Sequence, residues 1–204
     1  MLAAQQALTD DLQRMVGAGS EERALSSPWF AVKSRLPWLS LNLLTAFAAS
    51  AVVGLFDSTI AKFTALAILL PVVAGQSGNT GAQALAVISR GLALREIRLV
   101  HGWQVVQKEC AAAAINGVVV GSITSLGVFL WSGNVGLCAV IGISMVISMM
   151  LAAIAGAVIP VVLTALGRDP ATASSIILTT VTDITGFFSF LGLATLMSRY
   201  LENG

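Results

Sequence analysis

VGLCAVIGISMVISMMLAAIAGAVIPVVLTAL, residues 135–166, runs for 32 residues without one charged side chain. A membrane-crossing helix needs about 20 predominantly apolar residues. As a helix this run is about 48 Å long, more than a bilayer core, so it is expected to tilt or to bend near Pro160. The rest of the 204-residue chain agrees: 56% of residues are hydrophobic, 10% are charged, and the mean hydropathy is +0.88. Soluble domains carry about 25% charged residues. Eleven basic and ten acidic side chains leave a net charge of +1. That excludes a broadly basic nucleic-acid binder and an acidic disordered chain. The composition reads as an all-α integral membrane protein.

Working outward from 135–166, four more spans are expected. They are Trp38 to Phe56, Phe63 to Ile88, Cys110 to Trp131, and Ala171 to Ser198, the last opened by Pro170. Five helices result. Nine Lys and Arg (Arg14, Arg23, Lys33, Arg35, Arg90, Arg95, Arg98, Lys108 and Arg168) fall on one side, against Lys62 and Arg199 on the other. The expected topology therefore has a cytoplasmic N-terminus and an outside C-terminus in a multi-pass cell membrane protein.

Residues 1–37 read as a cytoplasmic linker, and 38–204 as the membrane domain. Leu8, Leu12, Met15 and Val16 suggest a short amphipathic helix, Gly17-Ala-Gly-Ser20 breaks it, and Pro28 opens a second helix from Trp29 to Leu36. Asp10, Asp11 and Arg14 leave no apolar core for a signal peptide, so a later span is expected to direct insertion. Cys110 and Cys138 fall toward opposite faces of the bilayer, and free buried thiols are expected.

Asp183 is the one ionisable residue within a span, midway along 171–198, with no basic side chain in any span to pair with it. Such a residue costs about 2.5–3.5 kcal/mol on insertion scales and by default marks a cavity or an ion path. Thr172, Ser175, Thr179 and Gly186 share its face at helical spacing, forming a polar stripe. A packed carboxyl bonded to neighbouring hydroxyls is the structural alternative, since Ser and Thr often bond back to their own helix.

Pro71 followed by Gly75-Gln-Ser-Gly-Asn-Thr-Gly-Ala-Gln83 is the second unusual stretch. Pro71 removes a helical hydrogen bond, and Gly75, Gly78 and Gly81 permit an unwound turn or a close backbone approach. Freed carbonyls, with Asn79 and Gln83, would be hard oxygen donors beside a pore. A glycine-lined packing face is the other reading. Ala113, Gly117, Gly121 and Ser125 read as a helix-contact face, and His101 as a surface residue.

Carboxylate, hydroxyl, amide and carbonyl oxygens suit Mg²⁺, Mn²⁺ or Ca²⁺ better than zinc or copper. One carboxylate matches a divalent ion poorly, whereas a two-fold homodimer with Asp183 near its axis supplies two. Mg²⁺ dehydrates reluctantly, so a hydrated-ion site needs few direct ligands. An enzyme is not expected, because one in-span carboxylate cannot serve as both acid and base.

Residues 71–83 together with Ser89-Arg-Gly-Leu-Ala-Leu-Arg-Glu-Ile97 resemble the second-helix signature of MgtE-type magnesium channels. Arg35-Leu-Pro-Trp-Leu39 with Asn42-Leu-Leu-Thr-Ala46, and Asp169-Pro-Ala171 leading into Thr179-Thr-Val-Thr-Asp-Ile-Thr-Gly-Phe187, are similar to two further blocks in the same order. The resemblance implies a homodimer of five-helix protomers with a pore at the subunit interface, lined by the second and fifth helices. It implies that Asp183 faces hydrated Mg²⁺, with Thr179 one turn before it, Ser175 nearer the cytoplasmic mouth, and Gly75 and Gly78 giving close backbone approach. With the stripe and the oxygen donors read above, the expected metal-facing residues are Asp183, Thr179, Ser175 and Asn79, and the expected pore lining is Gly75, Gly78, Ala82, Thr172 and Gly186. Ser77 and Ala82 depart from the family, which commonly has glycine and a polar residue there.

Such channels usually carry a cytosolic N-domain and a CBS pair, for which residues 1–37 leave no room. Thr9 to Met15 looks like the tail of a CBS module, and the segment after it like the connecting plug helix. An excised membrane domain or a short member, with weakened closure by cytosolic Mg²⁺, is expected. A coupled divalent-cation carrier or exchanger, and a non-conducting membrane scaffold, are the competing readings.

Overall fold

A computed structural model describes residues 13, 17–19, 21–168 and 174–202, and among these there is no strand. Among the described residues, seven α-helices and one short 3₁₀ turn are delimited: α1 Pro28–Gly54, α2 Asp57–Lys62, α3 Ala65–Ala93, the turn Leu99–His101, α4 Gly102–Ser132, α5 Val135–Ala165, α6 Ser174–Leu196 and α7 Ser198–Glu202. Four of them, α1, α4, α5 and α6, are long and apolar enough to cross a bilayer. The amphipathic helix expected around Leu8 to Val16, and the Asp169-Pro170 opening of the last span, lie outside the described residues.

Two expected breaks are absent. The separate helix over 29–36 and the span from Trp38 are one continuous α1, with Pro37 inside it. Ser27 caps its start, accepting a hydrogen bond from Phe30 N at 3.3 Å, and Pro28 occupies the first turn, where its missing N–H costs nothing. The Gly75–Gln83 stretch is likewise uninterrupted helix within the 29-residue α3. An unpaired backbone group in hydrocarbon costs several kcal/mol, whereas an internal glycine costs only about 1 kcal/mol. Helix therefore persists where the same residues would loop in water. Its carbonyls stay in the helical ladder, so the freed carbonyl donors expected from this stretch are not present.

Helix α5 is the hub, packing against α3, α4 and α6. Val140, Ile141, Met145 and Met149 of α5 bury against Leu66, Leu69 and Val73 of α3 and Phe190, Leu191 and Ala194 of α6. Between membrane helices the drive is close van der Waals fit. The glycines show it: a Cβ on Gly117 would lie 2.9 Å from Val146 Cα, and one on Gly121 would lie 2.9 Å from Gly142 O. Ser125 completes that face by donating to Cys138 O at 2.9 Å. The small-residue stripe of α4 is thus a packing surface. Both cysteines are free but only partly buried.

The α4–α5 hairpin turns on Gly133, whose φ of +67° favours glycine, and on Asn134, which caps α5. Asn134 accepts from Leu137 N at 2.7 Å and donates to Leu201 O at 3.1 Å. That second bond, the Thr59–Thr195 hydroxyl pair at 2.9 Å and the Lys62–Glu202 ion pair tie α2, α7 and the hairpin together at one end of the bundle. Asn134→Ala removes both bonds and is expected to lower stability by about 1–2 kcal/mol. Thermal unfolding in detergent checks this, and an unshifted midpoint would show that the cap contributes nothing.

Candidate functional site

The two unusual stretches come together. A Cβ on Gly186 of α6 would lie 3.2 Å from Ser77 Oγ, and one on Gly81 of α3 would lie 3.1 Å from Thr182 Cγ2. Each step along α3 is a step back along α6, so the helices run antiparallel. This register places Asp183 level with Asn79 and Thr80. Ser77 and Thr182 are completely buried in the contact, and their hydroxyls close onto Val73 O (2.9 Å) and Thr179 O (3.1 Å). Gly186, expected along the lining, is instead buried here, its missing side chain making room for Ser77.

The adjoining faces are open. On α3, Gly75, Asn79 and Ala82 are exposed and Gly78 is half-buried. A Cβ on Gly75 or Gly78 would meet no heavy atom within 4 Å. On α6, Thr179 is exposed, while Ser175 and Asp183 are half-buried. Thr172 lies outside the described residues. The three glycines therefore divide by face: Gly81 packs, while Gly75 and Gly78 look outward. Steps of three residues advance about 300°, so regular spacing along the sequence does not put them on one side.

Among the described residues Asp183 has no ion pair or hydrogen bond. Most hydroxyls around it are committed to their own helix: Thr180 donates to Ile176 O at 2.7 Å, Thr185 to Val181 O at 2.7 Å and Ser189 to Thr185 O at 2.6 Å. Of the stripe expected from sequence, Thr179 is exposed one turn from the half-buried Asp183, and Ser175 is half-buried one turn further on. No group of three or more His, Cys, Asp or Glu able to hold a metal occurs among the described residues. A protein cage for a dehydrated ion is therefore not formed by these side chains. The open face offers one carboxylate, a hydroxyl and an amide, which suits outer-sphere contact with a hydrated hard cation.

Sequence reasoning missed Ser77 and Thr182 as the residues that fix this register. Their signal was present as small hydroxyl residues beside Gly81 and Gly186.

Residues 70–193, which contain both faces, match the family model MgtE, described as a divalent cation transporter. The chain is similar to the magnesium transporter MgtE of Bacillus subtilis, 30% identical over 186 residues, covering 91% of this chain and 41% of that protein. It is similar also to the protein of that name from Enterococcus faecalis, 30% identical over 190 residues (93% and 42%), and from Thermus thermophilus, 35% identical over 169 residues (83% and 37%). The chain thus spans less than half the length of these relatives.

Proposed function

This chain belongs to the MgtE family of divalent cation transporters, and from that premise we propose that it passes largely hydrated Mg²⁺ through a pore formed between two copies of itself. It is an all-helical, multi-pass membrane protein. In the proposal α3 is the fifth span: its polar middle lowers its hydropathy, yet it packs between α5 and α6 as a core helix. The open faces of α3 and α6 line the path, with Gly75, Gly78, Asn79 and Ala82 on one side and Ser175, Thr179 and Asp183 on the other. Thr172, outside the described residues, is proposed for the same lining. Two-fold symmetry brings two Asp183 carboxylates to one ion. The N-terminus is cytoplasmic and the C-terminus outside, with residues 1–37 as a linker and plug-like helix before the pore domain of 38–204.

The observation that carries this reading is Asp183 itself, an in-span carboxylate with no ion pair among the described residues, level with an α3 face on which a Cβ at Gly75 or Gly78 would meet no heavy atom within 4 Å. Weak, water-mediated binding is what conduction requires, since an ion held too tightly does not leave. A coupled carrier would use the same oxygens, and Mn²⁺ or Ca²⁺ would meet the same donors.

Mg²⁺ entry into proteoliposomes with no imposed gradient of another ion tests the proposal. Entry supports a passive path, entry only with a counter-ion gradient supports the carrier, and none in either supports the scaffold. Gly78→Leu is expected to leave unfolding unchanged, because its side chain meets open space within the protomer. The same change is expected to cut flux by about an order of magnitude by filling the path. Undiminished flux would place this face against lipid.

A further inference from the structure

The last turn of α3 and the connection from it to α4 together carry three arginines that the ion path does not use. Arg90, Arg95 and Arg98 are all exposed, and among the described residues none of them forms an ion pair. Beside them Val100, in the 3₁₀ turn, is 80% exposed and Trp103, in the first turn of α4, is 71% exposed.

The backbone that presents Arg95 is specific. After Ala93 the chain closes onto the end of α3: Arg95 N donates to Leu92 O at 3.1 Å, and Glu96 N and Ile97 N donate to Gly91 O at 2.9 and 3.1 Å. The Ile97 side chain seals this turn over Gly91. Such a helix ending needs one left-handed residue, normally glycine. Here Arg95 occupies it at φ 57°, the one non-glycine with positive φ among the described residues. An L-residue adopts that conformation only at a cost, so the guanidinium is held outward at the expense of local strain.

We propose that this turn docks the phosphate of an anionic phospholipid, with the three guanidiniums on the headgroup and Val100 and Trp103 against the glycerol and upper acyl chains. Guanidinium is the side chain best suited to phosphate. Tryptophan at the end of a membrane helix belongs at headgroup depth. Free phosphate would leave the two apolar groups without a counterpart, whereas a lipid matches both halves of the surface. Arginines next to a span strengthen attraction to anionic lipid, each by roughly fivefold in affinity. The site needs only that the helices cross a bilayer and is independent of the ion carried.

The test is titration of the full chain in neutral detergent with short-chain phosphatidylglycerol, against phosphatidylcholine of the same chain length. Phosphatidylglycerol is expected to bind about tenfold or more tightly, and Arg90→Gln/Arg95→Gln/Arg98→Gln to abolish that preference. Arg95→Gly separates side chain from fold: it relieves the left-handed strain, so the protein should melt no earlier, yet bind phosphatidylglycerol about fivefold less tightly. Equal affinity for the two lipids would overturn the proposal, as would unchanged binding in Arg95→Gly. Displacement of the lipid by millimolar inorganic phosphate would mean a free-anion site, and stronger binding of poly-glutamate an acidic protein partner. Either result would overturn it as well.

Discussion

Asp183→Asn is expected to abolish Mg²⁺ entry into proteoliposomes while leaving the protein folded. The substitution keeps shape and removes charge. A hydrated divalent ion whose nearest positive charge density lies about 5 Å from a carboxylate gains about 3 kcal/mol per unit charge at an effective dielectric of 20. In the proposed two-fold pore, losing that in each of two subunits lowers ion occupancy by several orders of magnitude, which is why this is the largest functional effect anticipated. The folded state does not suffer in return. Asp183 has no ion pair or hydrogen bond among the described residues, so no native bond is broken. Removing a half-buried charge from a span also removes its desolvation cost. Flux and thermal unfolding measured on the same preparation separate the roles. Surviving flux would take the carboxylate off the ion path. Loss of fold together with flux would make it a structural residue.

Gly156→Val is the substitution expected to damage the fold most. An added Cβ there would collide with Gly81 O and lie 3.0 Å from Ala84 Cβ. The first of these is backbone and cannot rotate away, so α5 and α3 must separate. The same crossing holds Gly81 within 3.2 Å, as a Cβ would measure it, of Ala152 O, so separation also opens the α3–α6 register. Overpacking a core costs 1–3 kcal/mol even when side chains can shift. With backbone against backbone at the hub helix, a loss of about 3 kcal/mol or more is expected. Gly75→Val is the matched control, since its side chain enters open space. A midpoint for Gly156→Val equal to that of the control would contradict the α3–α5 crossing.

Much of this architecture was legible in particular residues. The uncharged run from 135 to 166 predicts α5 almost to the residue, because length and hydropathy decide a membrane helix with little help from context. The stripe from Ala113 to Ser125 predicts its own burial for the same reason. Pro37 and Gly75–Gln83 misled, since proline and glycine are weighed as helix breakers by their behaviour in water. Hydrocarbon reverses that weighting. Gly186 misled differently: lying on the same helical face as Asp183 gives a direction to within a quarter turn, and Ser77 occupies the remainder. The short helices α2 and α7 span only 6 and 5 residues, too few for a periodic signal. Asp183 stood out unaided because a lone carboxylate in 28 apolar and hydroxyl-bearing residues has no structural reason to be there.

Helix α1 has a mechanical consequence. Its substantial contact with the other helices is with α6, and Ala49 is its one buried residue. Just beyond its end, the Phe56 ring meets Phe188 of α6 edge-on at 5.7 Å. Residues 28–48 therefore form an arm of about 30 Å pivoted at the far end. A rotation of a single degree at the pivot moves the Pro28 tip by roughly half an ångström over that length. Conversely, a displacement of several ångströms at Ser27 corresponds to a rotation of several degrees at the pivot, beside Phe188, five residues along the same helix from Asp183. In this geometry a coarse displacement of the Ser27 end corresponds to only a small rotation where α1 meets the aspartate helix.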